Sequence, residues 1–287
     1  MANRILAITG PTSGIGESTV KELANDYDII ILLCRNIDKG EHLKSLLIAE
    51  HKKLNVEVIK CDLSNLANVM KAATQILDQY LYIDCLINNA GVVSLTRQKT
   101  VDGFELMFGT NYLGHFLLTH ILFESIMRSH DKQIIIVSSG AYKYAHIGHH
   151  NFKYPLRFNP IKSYSRSKLA TLYFMQELYE QFHHRGLNVT AVHPGAVSTN
   201  LGKTKYNHRF GDLIYKMFDS MFISPREGAM STIKVTKDKF LFNGAYVYEG
   251  KVTELENQGL NYYDRKRLIR ETLEALQLDQ FMYLSTN

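Results

Sequence analysis

Short β-branched runs recur along the chain at Ile5–Ile8, Ile29–Leu33, Val56–Ile59, Ile83–Ile87, Ile134–Val137, Val189–Val192 and Ala245–Tyr248. Each is almost continuously apolar, the pattern of a strand buried on both faces of a parallel sheet. Between them the apolar spacing changes to that of amphipathic helices, over Gly14–Asn25, Lys39–Lys53, Leu66–Gln79, Gly103–Arg128 and Ser163–Phe182. A further helical pattern follows the sixth strand; its face of Tyr206, Phe210, Leu213, Ile214, Met217, Phe218 and Met221 is rich in aromatics and Met. Strict β-α alternation predicts an α/β fold, a single-domain doubly wound parallel sheet of Rossmann type with helices on both faces. No proline-rich linker or internal repeat divides residues 1–287.

In such a sheet, ligands bind beyond the carboxyl ends of the strands. The segments that follow the strands are polar or glycine-bearing: Thr9-Gly10-Pro11-Thr12-Ser13-Gly14-Ile15-Gly16, Cys34-Arg35-Asn36, Cys61-Asp62-Leu63, Asn88-Asn89-Ala90-Gly91, Ser138-Ser139-Gly140 and His193-Pro194-Gly195. The first runs from a strand into a helix. Glycines there let the backbone approach a pyrophosphate, whose charge meets the free N–H groups of the helix N-terminus. Residues 1–140 therefore read as mainly a dinucleotide-binding half, and 141–287 as the half that holds the Ser163–Phe182 helix, expected to be the catalytic one, and the segments expected to close over a substrate. After the second strand stands Arg35 with no carboxylate beside it, which favours NADP(H) and leaves NAD(H) open; the competing reading is an Arg35 facing solvent. Asp62 is placed to accept a hydrogen bond from the adenine amine, or else caps the helix that follows it.

Composition narrows the field. The chain is 45% hydrophobic and 21% charged, enough for a sizeable core. Its net charge of +5 is spread along the sequence rather than gathered into a basic tract, so nucleic acid is not an expected partner. Cys34, Cys61 and Cys85 sit at or beside strand-like runs with no metal or redox spacing, as small buried hydrophobes of a reducing compartment do. No metal site is expected: His146, His149 and His150 lack supporting carboxylates and read as loop histidines. No run approaches the ~18 apolar residues of a transmembrane helix, so a cytoplasmic protein without a transmembrane anchor is expected.

The stretch Y-S-R-S-K places Tyr164 and Lys168 four positions apart, about one helical turn, with their side chains on the same face. A free phenol has a pKa of about 10, too high for an efficient base near neutrality, and a neighbouring ammonium favours its anion. Taken together, T-G-P-T-S-G-I-G, N-N-A-G, a serine pair followed by Y-x-x-x-K, and H-P-G resemble the short-chain dehydrogenase/reductase family, in order and over nearly the whole chain. L-L-C-R-N-I-D-K-G-E and D-G-F-E-L-M-F-G-T-N-Y-L-G-H-F-L-L-T resemble its retinol dehydrogenase and protochlorophyllide reductase-like branch.

The resemblance implies a catalytic group of Ser139, Tyr164 and Lys168 joined by Asn111. Tyr164 would serve as general acid or base, Ser139 as the donor to the substrate oxygen, and Lys168 as partner of both the phenol and the nicotinamide ribose. Asn111 would hold a water linking Lys168 to solvent through a helix carbonyl. Structural alternatives are a strand-end turn for Ser139 and a buried helix kink for Asn111. Ser138 is the weaker candidate, since adjacent strand residues point to opposite sides. The cofactor would be bound by Gly10, Thr12, Ser13, Gly14, Ile15, Gly16, Arg35, Asn36, Asp62, Leu63, Asn89, Ala90, Gly91, Tyr164, Lys168, Pro194, Gly195, Val197 and Thr199; for Pro194, Gly195, Val197 and Thr199 a plain loop is the competing reading.

Ser139 and Tyr164 are 25 positions apart, longer than in compact family members, and the intervening stretch is rich in aromatics and His. With the Tyr206–Met221 face it implies an apolar carbonyl or alcohol substrate; core packing and contact with a membrane surface are the other readings of that face. The resemblance also implies a homodimer through the Asn111 and Tyr164 helices. A function of a different class, a catalytically idle NAD(P)-binding regulatory module, stays open.

Overall fold

A computed structural model describes residues 3–148, 157–195 and 224–282. Strands β1 (Ile5–Thr9), β2 (Ile29–Cys34), β3 (Asn55–Lys60), β4 (Cys85–Asn88), β5 (Gln133–Val137), β6 (Asn188–His193) and β7 (Tyr246–Tyr248) pair in parallel, and a two-residue β8 (Lys251–Val252) closes the edge antiparallel to β7. Their order, β3-β2-β1-β4-β5-β6-β7-β8, reverses between β1 and β4, the point where a doubly wound sheet opens a crevice for ligands. All seven runs expected as strands form them. The hairpin partner β8 was not foreseen, because two exposed residues are too few to show a strand pattern.

Helices α1 (Gly14–Leu23), α2 (Ile37–Glu50), α3 (Leu66–Gln79), α4 (Leu106–Phe108), α5 (Gly114–Arg128), α6 (Pro160–Phe182), α7 (Pro225–Lys237) and α8 (Tyr262–Leu276) cover the sheet. Because successive strand side chains point to opposite faces, the sheet separates two cores. Ala7, Ile31, Leu86 and Ile134 face the layer of α3, α5 and α6, with Val69, Phe116 and Phe174. Leu6, Ile8, Ile30 and Ile87 face the layer of α1, α2 and α7, with Val20, Leu43 and Ile233.

The expected helix over Gly103–Arg128 needs correction. Gly103 lies outside it with φ +88° in a tight turn, where Gly103 N–H donates to the Thr100 carbonyl at 3.1 Å. Glu105 is the cap, its carboxylate accepting from the amides of Met107 at 3.1 Å and Phe108 at 2.9 Å. Between α4 and α5 the chain makes a π turn, Gly109–Leu113, closed by a bond from Gly114 N–H to the Gly109 carbonyl. Apolar periodicity runs through this wider turn and conceals it. The aromatic face from Tyr206 to Met221, His149, His150, Val197 and Thr199 lie outside the described residues.

At the end of the sheet opposite the strand C-termini, Asp131 binds Arg4 at 2.7 Å and Lys239 at 2.5 Å, tying the start of β1 to that of β5. The three cysteines are buried and free, and burial pushes their thiols up, Cys34 to about 11 and Cys61 and Cys85 to about 12. Among the described residues no helix is long and apolar enough to cross a membrane.

Candidate functional site

A cleft of about 410 Å³ opens at the strand C-termini around the β1/β4 switch point. Its floor is the glycine turn. Gly10 and Gly14 adopt φ +63° and +59°, the left-handed region that glycine enters without steric cost. A Cβ on Gly10 would meet that of Ala90 at 2.9 Å, and one on Gly16 would meet the Asn89 side-chain nitrogen at 2.6 Å. Asn89 fixes this contact from the other side, its Nδ2 donating to the carbonyls of Thr9 at 2.8 Å and Gly10 at 3.2 Å. Ser13 stands at the N-terminus of α1 without a side-chain cap, so the first amides of that helix are left for a ligand. Glu17, in the first turn, is paired with Lys21 at 2.7 Å. A floor that a single Cβ would fill, under an uncapped helix, fits a dinucleotide pyrophosphate.

Thr12, Ser13, Ile15, Arg35, Asn36, Asp62, Leu63, Asn89, Ala90, Gly91 and Pro194 line the same cleft, as do Tyr164 and Lys168. Asn36 and Asp62, like Asn89, are engaged locally. Asn36 caps α2, its Oδ1 accepting from Lys39 N–H at 2.9 Å, and Asp62 holds Ser64, accepting from its amide at 3.0 Å and its hydroxyl at 2.7 Å. The alternative of Asp62 as a helix cap is overturned: Asn65 caps α3, accepting from Asn68 N–H at 3.0 Å. Arg35 is exposed at the rim beside an equally exposed Lys39, a second cation that strand-end reasoning did not reach. Gly195 follows Pro194 and donates its N–H to His193 Nδ1 at 3.2 Å.

At the inner end of the cleft, α6 brings up Tyr164 and Lys168. Lys168, 4% exposed, donates to the Val137 carbonyl at 2.9 Å, and its Nζ lies 5.8 Å from the centroid of the Tyr164 ring. Burial pulls its ammonium down to about 8, so it remains charged at neutral pH. The Tyr164 hydroxyl is hydrogen-bonded to Ser139; burial raises the phenol above its ordinary value and the Ser139 bond works against that rise. In the protein's own groups, burial thus outweighs the Ser139 bond and keeps the proton on the phenol.

The two serines divide as alternation along β5 suggests. Ser138 borders the cleft, but its hydroxyl is taken up inside the packing, donating to the Lys168 carbonyl at 3.0 Å and accepting from Thr171 at 3.1 Å. Ser139 accepts from Ala141 N–H at 3.2 Å and meets Tyr164. Asn111 sits in the π turn, 1% exposed; its Oδ1 accepts from Val92 N–H at 2.8 Å, while its Nδ2 donates to the Val92 carbonyl at 3.1 Å and to Ser167 Oγ at 3.0 Å. Its side chain thus clamps the cleft wall, and its carbonyl accepts from His115 Nδ1 at 2.9 Å. Thr9, His115 and Ser167 were missed by sequence reasoning, because no local pattern brings them to the site. His193 stacks on Tyr248, rings 4.6 Å apart, and burial together with the charges of Lys168 and Lys143 lowers its pKa to about 4.

The family model for short chain dehydrogenases matches residues 4–209. Over 275 residues the chain is 33% identical to mouse (Mus musculus) retinol dehydrogenase 12, covering 95% of this chain and 86% of that protein. It is 32% identical over 280 residues to human (Homo sapiens) retinol dehydrogenase 11, covering 97% and 87%. Among solved structures it resembles an uncharacterized protein from Mycobacterium paratuberculosis, with a TM-score of 0.75, 27% identity and coverage of 98% and 95%. The fold also matches that of an NADPH-bound carbonyl reductase from chicken fatty liver, with a TM-score of 0.65, 22% identity and coverage of 89% and 100%.

Proposed function

Since the chain belongs to the short-chain dehydrogenase family and is an NAD(P)-dependent oxidoreductase acting on CH–OH groups, we propose that it uses NADP(H) and interconverts an apolar carbonyl and its alcohol, with Tyr164 as general acid and base. The observation that carries this reading is that Tyr164, hydrogen-bonded to Ser139, lines the glycine-floored cleft together with Lys168.

Gly10, Gly16 and the α1 amides would hold the pyrophosphate, and Arg35 with Lys39 a 2′-phosphate on the adenosine ribose. The dinucleotide supplies or accepts a hydride at C4 of its nicotinamide ring. For the protein's part, the phenol held protonated by burial is suited to give its proton to the substrate oxygen as negative charge grows there. Ser139, within hydrogen-bond reach of Tyr164, would donate to that same oxygen. Lys168, charged and 5.8 Å from the ring, stabilises the phenolate left behind. In oxidation the same groups act in reverse. Val92 and Val93 on the cleft wall favour an apolar reactant, as does the similarity to proteins named retinol dehydrogenases. The lack of a carboxylate at the end of β2 supports NADP(H).

Calorimetric titration with NADPH and NADH side by side, followed by turnover of a panel of apolar aldehydes that includes retinal, tests this. Tighter NADPH binding with turnover is expected. Equal affinity for the two would remove the NADP(H) assignment, and binding without turnover of any member would remove the catalytic one.

A further inference from the structure

Thr9 and His115 are 106 positions apart in sequence, and their side chains meet in the buried wall between the glycine turn and the π turn, Thr9 Oγ1 to His115 Nε2 at 2.8 Å. The imidazole is 3% exposed and has a second partner, the Asn111 carbonyl, 2.9 Å from Nδ1. A carbonyl oxygen only accepts, so Nδ1 carries the hydrogen. Burial, reinforced by the charge on Lys168 and opposed by the Asn111 bond, lowers the imidazole to about 4, so at neutral pH it holds one proton and Nε2 is bare. Thr9 must then donate to Nε2. Its lone pairs are left to accept the amides of Asn89 and Ala90, each at 3.0 Å. The directions of the whole chain of bonds follow from one tautomer.

Both ends of this chain lie at the site. Asn89 and Ala90 line the cofactor cleft. Asn111 bonds Ser167 Oγ at 3.0 Å, which in turn donates to the Tyr164 carbonyl at 2.7 Å. We propose that His115 is a positioning residue that joins the cofactor wall at Asn89–Ala90 to the Asn111 turn behind Tyr164, its Nε2 side setting the wall and its Nδ1 side the turn. The proposal rests on the dehydrogenase reading above. An apolar side chain would fill the same volume but take from the Asn111 carbonyl its bond to Nδ1 and from the Thr9 hydrogen its acceptor at 2.8 Å, leaving it the Ile87 carbonyl at 3.5 Å.

Two variants separate the two sides. In His115→Asn the shorter amide can still donate towards the Asn111 carbonyl but cannot reach Thr9. In His115→Gln the amide oxygen reaches the former place of Nε2, and the donor to Asn111 is given up. The readouts are the Kd for NADPH by calorimetry, kcat with one apolar aldehyde, and Tm. A crossed pattern is expected: His115→Asn weakens NADPH about tenfold with a smaller change in kcat, and His115→Gln lowers kcat about tenfold with a smaller change in Kd. Parallel losses in proportion to Tm, or no change in either quantity, would overturn the proposal. Tyr164→Phe in the same assay separates this outcome from failure of the catalytic reading, since a Tyr164→Phe enzyme with full turnover sinks that reading while the Kd difference between the two His115 variants still decides this one. If either His115 variant fails to fold, Thr9→Val against Thr9→Ser carries the test: weaker NADPH binding with Val and retained binding with Ser is expected, and equal affinities would refute it.

Discussion

The Lys168 ammonium donates to the carbonyl of Val137 at 2.9 Å while standing 5.8 Å from the centroid of the Tyr164 ring. The lysine is thus held by the end of β5 rather than by the phenol beside it. Its charge acts on the ring from a fixed place, set by the sheet and by the helical turn that separates the two residues. Such an arrangement stabilises a phenolate when one forms without requiring one beforehand, and it leaves the proton on Tyr164 for transfer.

Removing that proton tests the role directly. Tyr164→Phe keeps the ring and loses only the hydroxyl and its bond to Ser139. Turnover is expected to fall by a factor of about 100 or more, the scale of a lost general acid, with the Kd for NADPH within about twofold. Steady-state kinetics beside calorimetry checks both, and near-native turnover would remove Tyr164 from the chemistry.

Cofactor choice rests on the rim. Arg35 is exposed at the end of β2, so its replacement disturbs no core. Arg35→Asp should weaken NADPH about tenfold or more and leave NADH equal or tighter, since a carboxylate repels a 2′-phosphate and accepts from a 2′-hydroxyl. An unchanged ratio of the two dissociation constants would show that neither group is read there. If Lys39 carries part of the load, the double variant with Lys39→Ala should go further than Arg35→Asp alone.

The opposite end of the sheet sets a response to acid. Burial alone would raise Asp131, but hydrogen bonds from Lys239, Arg4 and His130 outweigh it and hold the carboxyl down at about 2. A folded-state value below the ordinary 3.8 means that the unfolded chain binds the proton first as pH falls. The stabilisation, about 2 kcal/mol, is therefore present in full above pH ~4 and is lost as the pH drops towards 2. Asp131→Asn should lower Tm by several degrees at pH 7 and flatten the stability curve across that window. Denaturant titrations at pH 7 and pH 3 read both, and a variant whose loss is the same at the two values would contradict the ion-pair account.

Much of this was written in local pattern. The strands, the glycine turn and the pair Tyr164 and Lys168 all depend on residues within a few positions of each other, and a strand period of two chose Ser139 over Ser138. Where the sequence was silent, the deciding contact is distant or geometric. Thr9 finds His115 only after β1 and α5 have packed together. The π turn holding Asn111 adds a backbone residue that apolar spacing does not register. Asn36 showed an anchoring residue type, but its use as a cap is settled by the loop it closes. Lys39 opens an expected helix and drew no role from its position there, although folding carries it to the cleft that Arg35 also lines.

The sheet that divides the two cores also divides the work. Helix α1, which follows the glycine turn, is anchored in the layer with α2 and α7, whereas α5 and α6, which bear Asn111's neighbours and the Tyr164 pair, are anchored in the other. A packing change around Val20 or Ile233 is separated from the Tyr164 pair by the sheet, whereas one around Phe116 lies beside His115, whose bond to Thr9 reaches the glycine turn. The two layers are thus separate in most of their packing and coupled at the buried Thr9–His115 joint, the place where a change made in one would be felt in the other.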